Sequence, residues 1–229
     1  STLFNFRIFT LINAKVYTNL SAHRQMSQSI LESIGTKKLS LHFSLDDCIF
    51  AFQDAFTGNY SSIFKVELFN FIKELHESYG AAVTLYLFYE NKHMFYAREY
   101  FDLSMADSKY RKELEGCSDW LKFGVHALNY QTPMNVQNVK EISETIDKII
   151  KAISLIAGKE SLATSWRPHF YSAARDACDI MKHNGCDVIF TAEDDRKIVA
   201  CLPPERVKQL MKGGYYNLTL TPFLVTRFC

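Results

Sequence analysis

Segments of strand character alternate with segments of helical character along most of this chain. Apolar runs predict strands over 39–45, 82–88, 122–126, 161–167 and 188–191. Apolar residues at helical spacing, mostly followed by a glycine, predict helices over 61–79, 104–121, 138–156, 171–184 and 204–212. Strands that alternate with helices favour a parallel sheet with right-handed crossovers. Six or seven such units predict an α/β fold, a distorted (β/α) barrel with six or seven parallel strands.

The domain organisation follows from the same pattern. A chain of 229 residues is long enough for one sizeable core, and no linker divides it. We therefore expect a single domain over 1–229, with its core at 37–229 and an N-terminal strand and helix extension at 1–36. Residues 216–228 predict a final strand or hairpin. A doubly wound open sheet is the competing architecture, but no glycine-rich phosphate loop supports it.

Composition excludes several functional classes. The net charge of +1 gives no electrostatic case for nucleic acid or for an anionic membrane. No apolar stretch is long enough to predict a membrane span. The six cysteines form no CxxC pair, so we expect reduced thiols and a cytoplasmic protein. Aromatic residues reach 14%, a surplus that suits stacking against sugar rings, and the pattern does not indicate an oligomeric state.

Polar residues gather at the predicted strand ends. Asp46 and Asp47 end the first strand, and adjacent carboxylates are costly there because like charges raise each other's pKa. His126, Arg167 and His169 follow later strands, so a barrel would bring all five side chains to one mouth. An Asp with a His suits a divalent metal such as zinc. The second Asp could act as general base on a bound water, oriented by the arginine.

At these residues the chain resembles the polysaccharide deacetylase (NodB-homology) family. That family's first motif, Thr/Ser-Phe-Asp-Asp-Gly, is matched by Ser44-Leu45-Asp46-Asp47-Cys48. The resemblance implies that Asp46 is the catalytic base and Asp47 a metal ligand. The third motif, Arg-Pro-x-aromatic, is matched by Arg167-Pro168-His169-Phe170, which implies that Arg167 orients the base. The implied fold is the barrel of this family.

The second and later motifs are matched less fully. The second motif, His-(Ser/Thr)-x-x-His, has His126 in its first position and Tyr130 in its second. The implied ligand set is therefore Asp47, His126 and Tyr130, with His169 as a substitute ligand. Asp194 is the nearest match to a further catalytic Asp. The late Leu-x-x-His motif, which supplies a general acid, has no counterpart because no histidine follows His183.

The resemblance implies a zinc-dependent hydrolase that removes an acetyl group from an N- or O-acetylated sugar or glycan. Tyr130 and the missing late histidine favour an alternative: a catalytically inactive protein of the same fold that binds carbohydrate or a protein partner. Another metal-dependent hydrolase is a third hypothesis, because fold does not fix reaction.

Structural interpretations of single residues also stay open. Asp46 and Asp47 could cap a helix. His126 could be a core histidine, His169 a loop residue, and the acidic run at 193–195 a solvated loop.

Overall fold

A computed structural model of the protein describes residues 42–94, 99–171, 173, 175–191, 215–218 and 223–227. The strands of this part are β1 (His42–Leu45), β2 (Ala82–Phe88), β3 (Leu121–Ala127), β4 (Ser165–Trp166), β5 (Val188–Thr191), β6 (Tyr215–Leu218) and β7 (Phe223–Arg227). Its α-helices are α1 (Ile49–Thr57), α2 (Glu67–Tyr79), α3 (Arg111–Glu115), α4 (Val139–Ala157) and α5 (Arg175–His183). Short 3₁₀ turns lie at Ile63–Lys65, Leu103–Met105, Lys159–Ser161 and His169–Tyr171.

The strands of the described ranges form two sheets. The first has the order β1-β2-β3, all parallel, and the second has the order β4-β5-β7-β6. In the second sheet β5 is parallel to both β4 and β7, and only β6 runs antiparallel. A parallel bridge from Phe123 to Leu162 links β3 to the segment that leads into β4. The predicted α/β class with parallel strands is confirmed, but the described strands are divided between two sheets and form no closed barrel.

Several predicted elements match the structure closely. Strand β2 has the predicted bounds, as does β5, and β3 and α4 differ from prediction by only one residue at each end. Helix α2 ends at Gly80, whose φ of 67° is left-handed and whose N–H donates to the carbonyl of His76. The final segment is the hairpin alternative, β6 paired with β7. The predicted helix at 204–212 and the N-terminal extension at 1–36 lie outside the described residues.

The predicted helix over 104–121 is wrong. Only the five residues of α3 are α-helical there. Asp102 accepts a hydrogen bond from the N–H of Ser104, and Asp107 accepts one from the N–H of Lys109. These Asx turns satisfy backbone groups locally and so compete with a continuous helix. Two smaller errors are β4, which is shorter than predicted, and α1, which the pattern did not indicate.

The core lies between the first sheet and the helices that cover it. Every residue of β2 from Val83 to Phe88 is buried, as expected for a parallel strand covered on both faces. Helix α4 begins with a capping box between Asn138 and Glu141 and buries a stripe of isoleucines. Each fully buried isoleucine contributes about 1.5–3 kcal/mol by leaving water. This packing fixes the strand ends on which the polar side chains stand.

No helix in the described ranges combines the length and apolarity needed to cross a membrane. The four cysteines of the described part are free thiols: Cys48, Cys117, Cys178 and Cys186. The single-domain organisation stays a prediction.

Candidate active site

The polar residues singled out in the sequence meet at the carboxyl ends of three strands. Asp46 and Asp47 directly follow β1, His126 is the penultimate residue of β3, and Arg167 directly follows β4. Carboxyl ends of parallel strands share one edge, which is where α/β folds hold their ligands. The structure brings these four residues and His169 together as two adjoining clusters.

The first cluster consists of Asp46, Arg167 and Ser44, and we call it the base cluster. Arg167 Nη1 donates to Asp46 Oδ1 over 2.7 Å, and Arg167 Nη2 donates to Ser44 Oγ over 2.6 Å. The side chains of Arg167 and Asp46 are 0% and 6% exposed. The two terminal nitrogens of the Arg167 guanidinium thus connect the Asp46 carboxylate to Ser44 of strand β1. Burial raises the pKa of Asp46, and the positive charge of Arg167 partly opposes that rise.

The aromatic ring of Tyr86 packs against the guanidinium group of Arg167. The guanidinium carbon of Arg167 lies 4.8 Å from the ring centre of Tyr86, a cation–π contact. Gly124 on the neighbouring strand leaves room for that ring, because a Cβ at this position would come within 2.6 Å of it. Gly124 therefore lets the Tyr86 ring pack against Arg167, and in this way it supports the base cluster.

The second cluster consists of Asp47, His126 and His169, and we call it the metal cluster. Asp47 Oδ1 lies 3.3 Å from His126 Nε2, and His126 Nε2 lies 3.1 Å from His169 Nδ1. One potential ligand atom from each residue lies within 4.8 Å of the other two. Both imidazoles are buried, and the Asp47 side chain is 9% exposed. A buried carboxylate with two imidazoles is a donor set that suits divalent metals.

Main-chain carbonyls decide which nitrogen of each imidazole faces the cluster. His126 Nδ1 lies 2.5 Å from the carbonyl oxygen of Arg167, and His169 Nε2 lies 3.0 Å from that of Tyr130. A carbonyl oxygen only accepts, so each of these nitrogens carries the proton. In the neutral rings the lone pairs therefore belong to His126 Nε2 and His169 Nδ1. Metal-binding histidines are oriented in this way by outer hydrogen bonds.

The inward atoms of the cluster fit a cation. Two lone pairs that face each other over 3.1 Å repel unless a proton or a cation lies between them. Asp47 Oδ1 is buried, and within the described residues it accepts no hydrogen bond while His126 is neutral, because the facing Nε2, 3.3 Å away, then carries a lone pair. Ligands at the usual zinc distances are about 3.3 Å apart on a tetrahedral ion. Two of the three separations in the cluster, 3.3 and 3.1 Å, agree with that spacing, and all three are within 4.8 Å.

Without a metal the two histidines titrate differently. Burial favours neutral His126, but the hydrogen bond to Asp47 and the charge of Asp46 outweigh it and raise the pKa of His126. Burial and the positive charge of His126 lower the pKa of His169 to about 4. Below the raised pKa of His126, a proton on that ring takes the place that a cation would occupy, and His169 stays neutral down to about pH 4.

Backbone strain and an apolar wall border the metal cluster. Asp47, Phe170 and Tyr171 have φ values of 59°, 57° and 57°, which are unusual for aromatic residues in particular. Phe88 packs 4.9 Å from the ring of His126 and 4.8 Å from that of His169, measured between ring centres. Apolar surroundings of this kind limit access of water to a metal site.

Several interpretations from the sequence can now be compared with these positions. Helix α1 has Cys48 at its N-cap with no side-chain cap, so Asp46 and Asp47 do not serve as helix caps. His169 points into the cluster. Tyr130 contributes its main-chain carbonyl and places its ring 5.1 Å from that imidazole. Asp194 and the acidic run at 193–195 lie outside the described residues.

Sequence reasoning missed the supporting residues. Ser44 stands in the first motif, yet only the structure shows that its hydroxyl binds Arg167. Tyr86 lies in a continuous apolar run that carries no signal of a site. A glycine within a predicted strand, Gly124, was the one available sign that another group comes close to the backbone.

Comparisons with protein-family models, with curated proteins and with solved structures found no match to this chain. The motifs and the geometry of the two clusters are therefore the basis for its proposed function.

Proposed function

We propose that this protein is a metal-dependent hydrolase, similar to polysaccharide deacetylases, that removes an acetyl group from an N- or O-acetylated sugar or glycan. The observation that carries the proposal is the division of the two adjacent aspartates between two clusters. Asp46 turns to Arg167, whereas Asp47 turns to the two histidines. A hydrolase that activates water needs these two functions side by side: a proton acceptor and a metal ligand.

Asp47, His126 and His169 would hold the metal, and zinc suits their oxygen and nitrogen atoms best. When bound, zinc supplies Lewis-acid polarisation of the acetyl carbonyl and a more acidic water. Three protein ligands leave a fourth position for water or substrate, as in catalytic zinc sites. His169 thereby takes the ligand position that the second motif leaves to Tyr130.

Asp46 would accept the proton of the attacking water. Its pKa is raised by burial, which brings a carboxylate closer to the range useful for a general base. Arg167 holds the carboxylate in one place through the 2.7 Å bond to Oδ1, and Ser44 fixes the other terminal nitrogen of the guanidinium. This arrangement positions the base before substrate arrives.

An exposed aromatic residue beside the metal cluster favours a carbohydrate substrate. Phe170 is 44% exposed and lies 3.9 Å from the ring of His169, measured between centres. Its free face can stack against a sugar ring.

The finer fold, a distorted barrel of six or seven parallel strands, belongs to this proposal, as do a cytoplasmic location and the absence of a nucleic acid partner. The bridge from Phe123 of β3 to Leu162, in the segment that leads into β4, supports the barrel because it brings the two sheets side by side.

The test is to measure bound metal by elemental analysis and acetate release from acetylated chito-oligosaccharides and acetylated xylan. We expect stoichiometric zinc and acetate release in the wild type. Asp46→Asn is the matched variant, because it removes the base and leaves the metal ligands unchanged. It should retain zinc and lose acetate release by about 100-fold or more. Absence of zinc together with absence of acetate release from every substrate would refute the proposal.

A second candidate function is glycan or protein binding without turnover. It is favoured by Tyr130 in the second motif and by the lack of a histidine after His183, which leaves no general acid from that motif. This candidate predicts glycan binding that a chelator does not alter and no acetate release. Loss of glycan binding on chelation would count against it.

A further inference from the structure

The orientation of His169 depends on a main-chain carbonyl whose loop is fastened by one side chain. The main-chain carbonyl of Tyr130 accepts a hydrogen bond from His169 Nε2 over 3.0 Å. Tyr130 lies in the loop that follows β3. The identity of residue 130 does not determine the direction of its main-chain carbonyl. The preceding residue, Asn129, is 3% exposed although it stands in a loop.

Asn129 binds on both sides of the loop. Its amide Nδ2 donates to Glu90 Oε1 over 2.7 Å, and its Oδ1 accepts from the N–H of Gln131 over 3.0 Å. The carbonyl of Asn129 also accepts from the N–H of Thr132 over 3.3 Å. One buried side chain thus closes a turn around Tyr130 and fastens it to the residues after β2.

Glu90 is held in turn. Its N–H donates to the carbonyl of Leu128 over 3.0 Å. The hydroxyl of Tyr100 lies 3.1 Å from Glu90 Oε2 and 2.8 Å from Asp102 Oδ2. The hydroxyl has one proton for two carboxylates, so Glu90 is held mainly by its backbone bond to Leu128 and by the Asn129 amide, which together connect the two loops.

We propose that Asn129 is a positioning residue for the metal cluster, which holds the Tyr130 carbonyl against His169 Nε2 and so keeps the lone pair of His169 on Nδ1. The inference rests on the proposed metal-binding function and assigns a role to a residue at a position that the second motif leaves unspecified. A carbonyl displaced by one rotation of the peptide would let the proton move to Nδ1, and that nitrogen could then no longer bind a metal. Outer-shell contacts of this kind are worth about 10–100-fold in metal affinity.

The variant Asn129→Asp tests the connection with little change of shape. At neutral pH it replaces the donor amide by a carboxylate facing Glu90, so the 2.7 Å contact becomes repulsive, whereas the acceptor for Gln131 is kept. The double variant Asn129→Asp with Glu90→Gln exchanges amide and carboxylate across the same contact and should restore it. Glu99→Ala removes an exposed carboxylate next to Tyr100 in the sequence and is the control for a change of one unit in net charge.

Two readouts are needed. The nitrogen-15 shifts of the His169 imidazole in metal-free protein at neutral pH report which ring nitrogen carries the proton. Titration with Zn²⁺ gives the metal affinity. We expect the wild type and Glu99→Ala to carry the proton on Nε2, Asn129→Asp to populate the Nδ1–H form and to lose about 10-fold or more in affinity, and the double variant to recover both.

Wild-type tautomer and wild-type affinity in folded Asn129→Asp would overturn the inference, as would failure of the folded double variant to recover. If Asn129→Asp does not fold, Glu90→Ala removes the same bond without adding a charge and must move both readouts in the same direction. If the wild type binds no Zn²⁺, the proposed function fails, and the tautomer of the metal-free protein still decides the role of Asn129.

Discussion

The base cluster and the metal cluster occupy neighbouring strand ends, yet they satisfy their polar groups differently. In the base cluster a cation and an anion already meet, since Arg167 binds Asp46 and Ser44 directly. In the metal cluster with both histidines neutral, a carboxylate oxygen and two nitrogen lone pairs face one another with no N–H between them. The first cluster is complete as folded, whereas the second needs a proton or a metal to complete it.

This difference explains how two adjacent carboxylates of one strand end can have separate properties. The left-handed backbone of Asp47 turns its side chain away from that of Asp46 and toward the histidines. Each carboxylate then has its own positive partner, and the repulsion between them decreases. The following predictions test the two clusters separately, from the largest expected effect to the smallest.

Removal of Arg167 from the base cluster should cause the largest loss of stability among these variants. Arg167→Met leaves Asp46 buried without its cation, so we expect a loss of about 3–5 kcal/mol in the free energy of unfolding. The double variant with Asp46→Asn should lose less, because a neutral amide replaces the uncompensated charge. Urea unfolding of both variants measures this, and a double variant less stable than Arg167→Met would contradict it.

Zinc should stabilise the protein through the metal cluster only. At a free zinc concentration of 100 times the Kd, the free energy of unfolding should increase by about 2.7 kcal/mol. His169→Ala should abolish this gain. Tyr130→Phe should retain it, since the contact of Tyr130 with His169 is through the main chain. Equal loss in both variants, measured by unfolding with and without zinc, would make the Tyr130 hydroxyl a ligand.

Filling the space beside Tyr86 should disturb the base cluster and spare the metal cluster. Gly124→Ala would bring a Cβ within 2.6 Å of the Tyr86 ring, and such overpacking costs about 1–3 kcal/mol. Gly116→Ala is the matched control, because its nearest neighbour would be 3.4 Å away. Thermal unfolding and zinc titration of both variants test this. A Gly124→Ala protein with wild-type stability would show that Tyr86 can move freely.

The smallest effect is a dependence of stability on pH that zinc reverses. The pKa of His126 is raised above its ordinary 6.5, so in metal-free protein its stabilising contribution is full below about pH 6.5. That contribution is lost as the pH rises through the raised pKa. With zinc the sign is opposite, because ligand histidines must be neutral.

The measurement is urea unfolding on both sides of neutral pH, once with chelator and once with zinc. His126→Gln should remove the difference between the two series. A metal-free wild type that gains as much stability with rising pH as the zinc-bound protein would contradict this assignment.

Much of the fold could be predicted from periodicity, but loop chemistry could not. Strand β2 and helix α4 carry long patterns with clear ends, and their bounds were predicted to within a residue. The predicted helix over 104–121 was wrong because side chains of Asp102 and Asp107 bind nearby backbone. Such local bonds change the structure without changing the apolar pattern.

Asp46, Asp47, His126 and Arg167 could be selected from the sequence because they follow predicted strands of one parallel sheet. The alternation of strands and helices predicts parallel strands, whose carboxyl ends lie on the same side, so the sequence by itself placed these four residues at the same end of their strands. The direction of His169 and the roles of Asn129 and the Tyr130 carbonyl were decided only by the tertiary structure. They depend on left-handed backbone angles and on hydrogen bonds between distant loops, for which residue identity alone gives no direction.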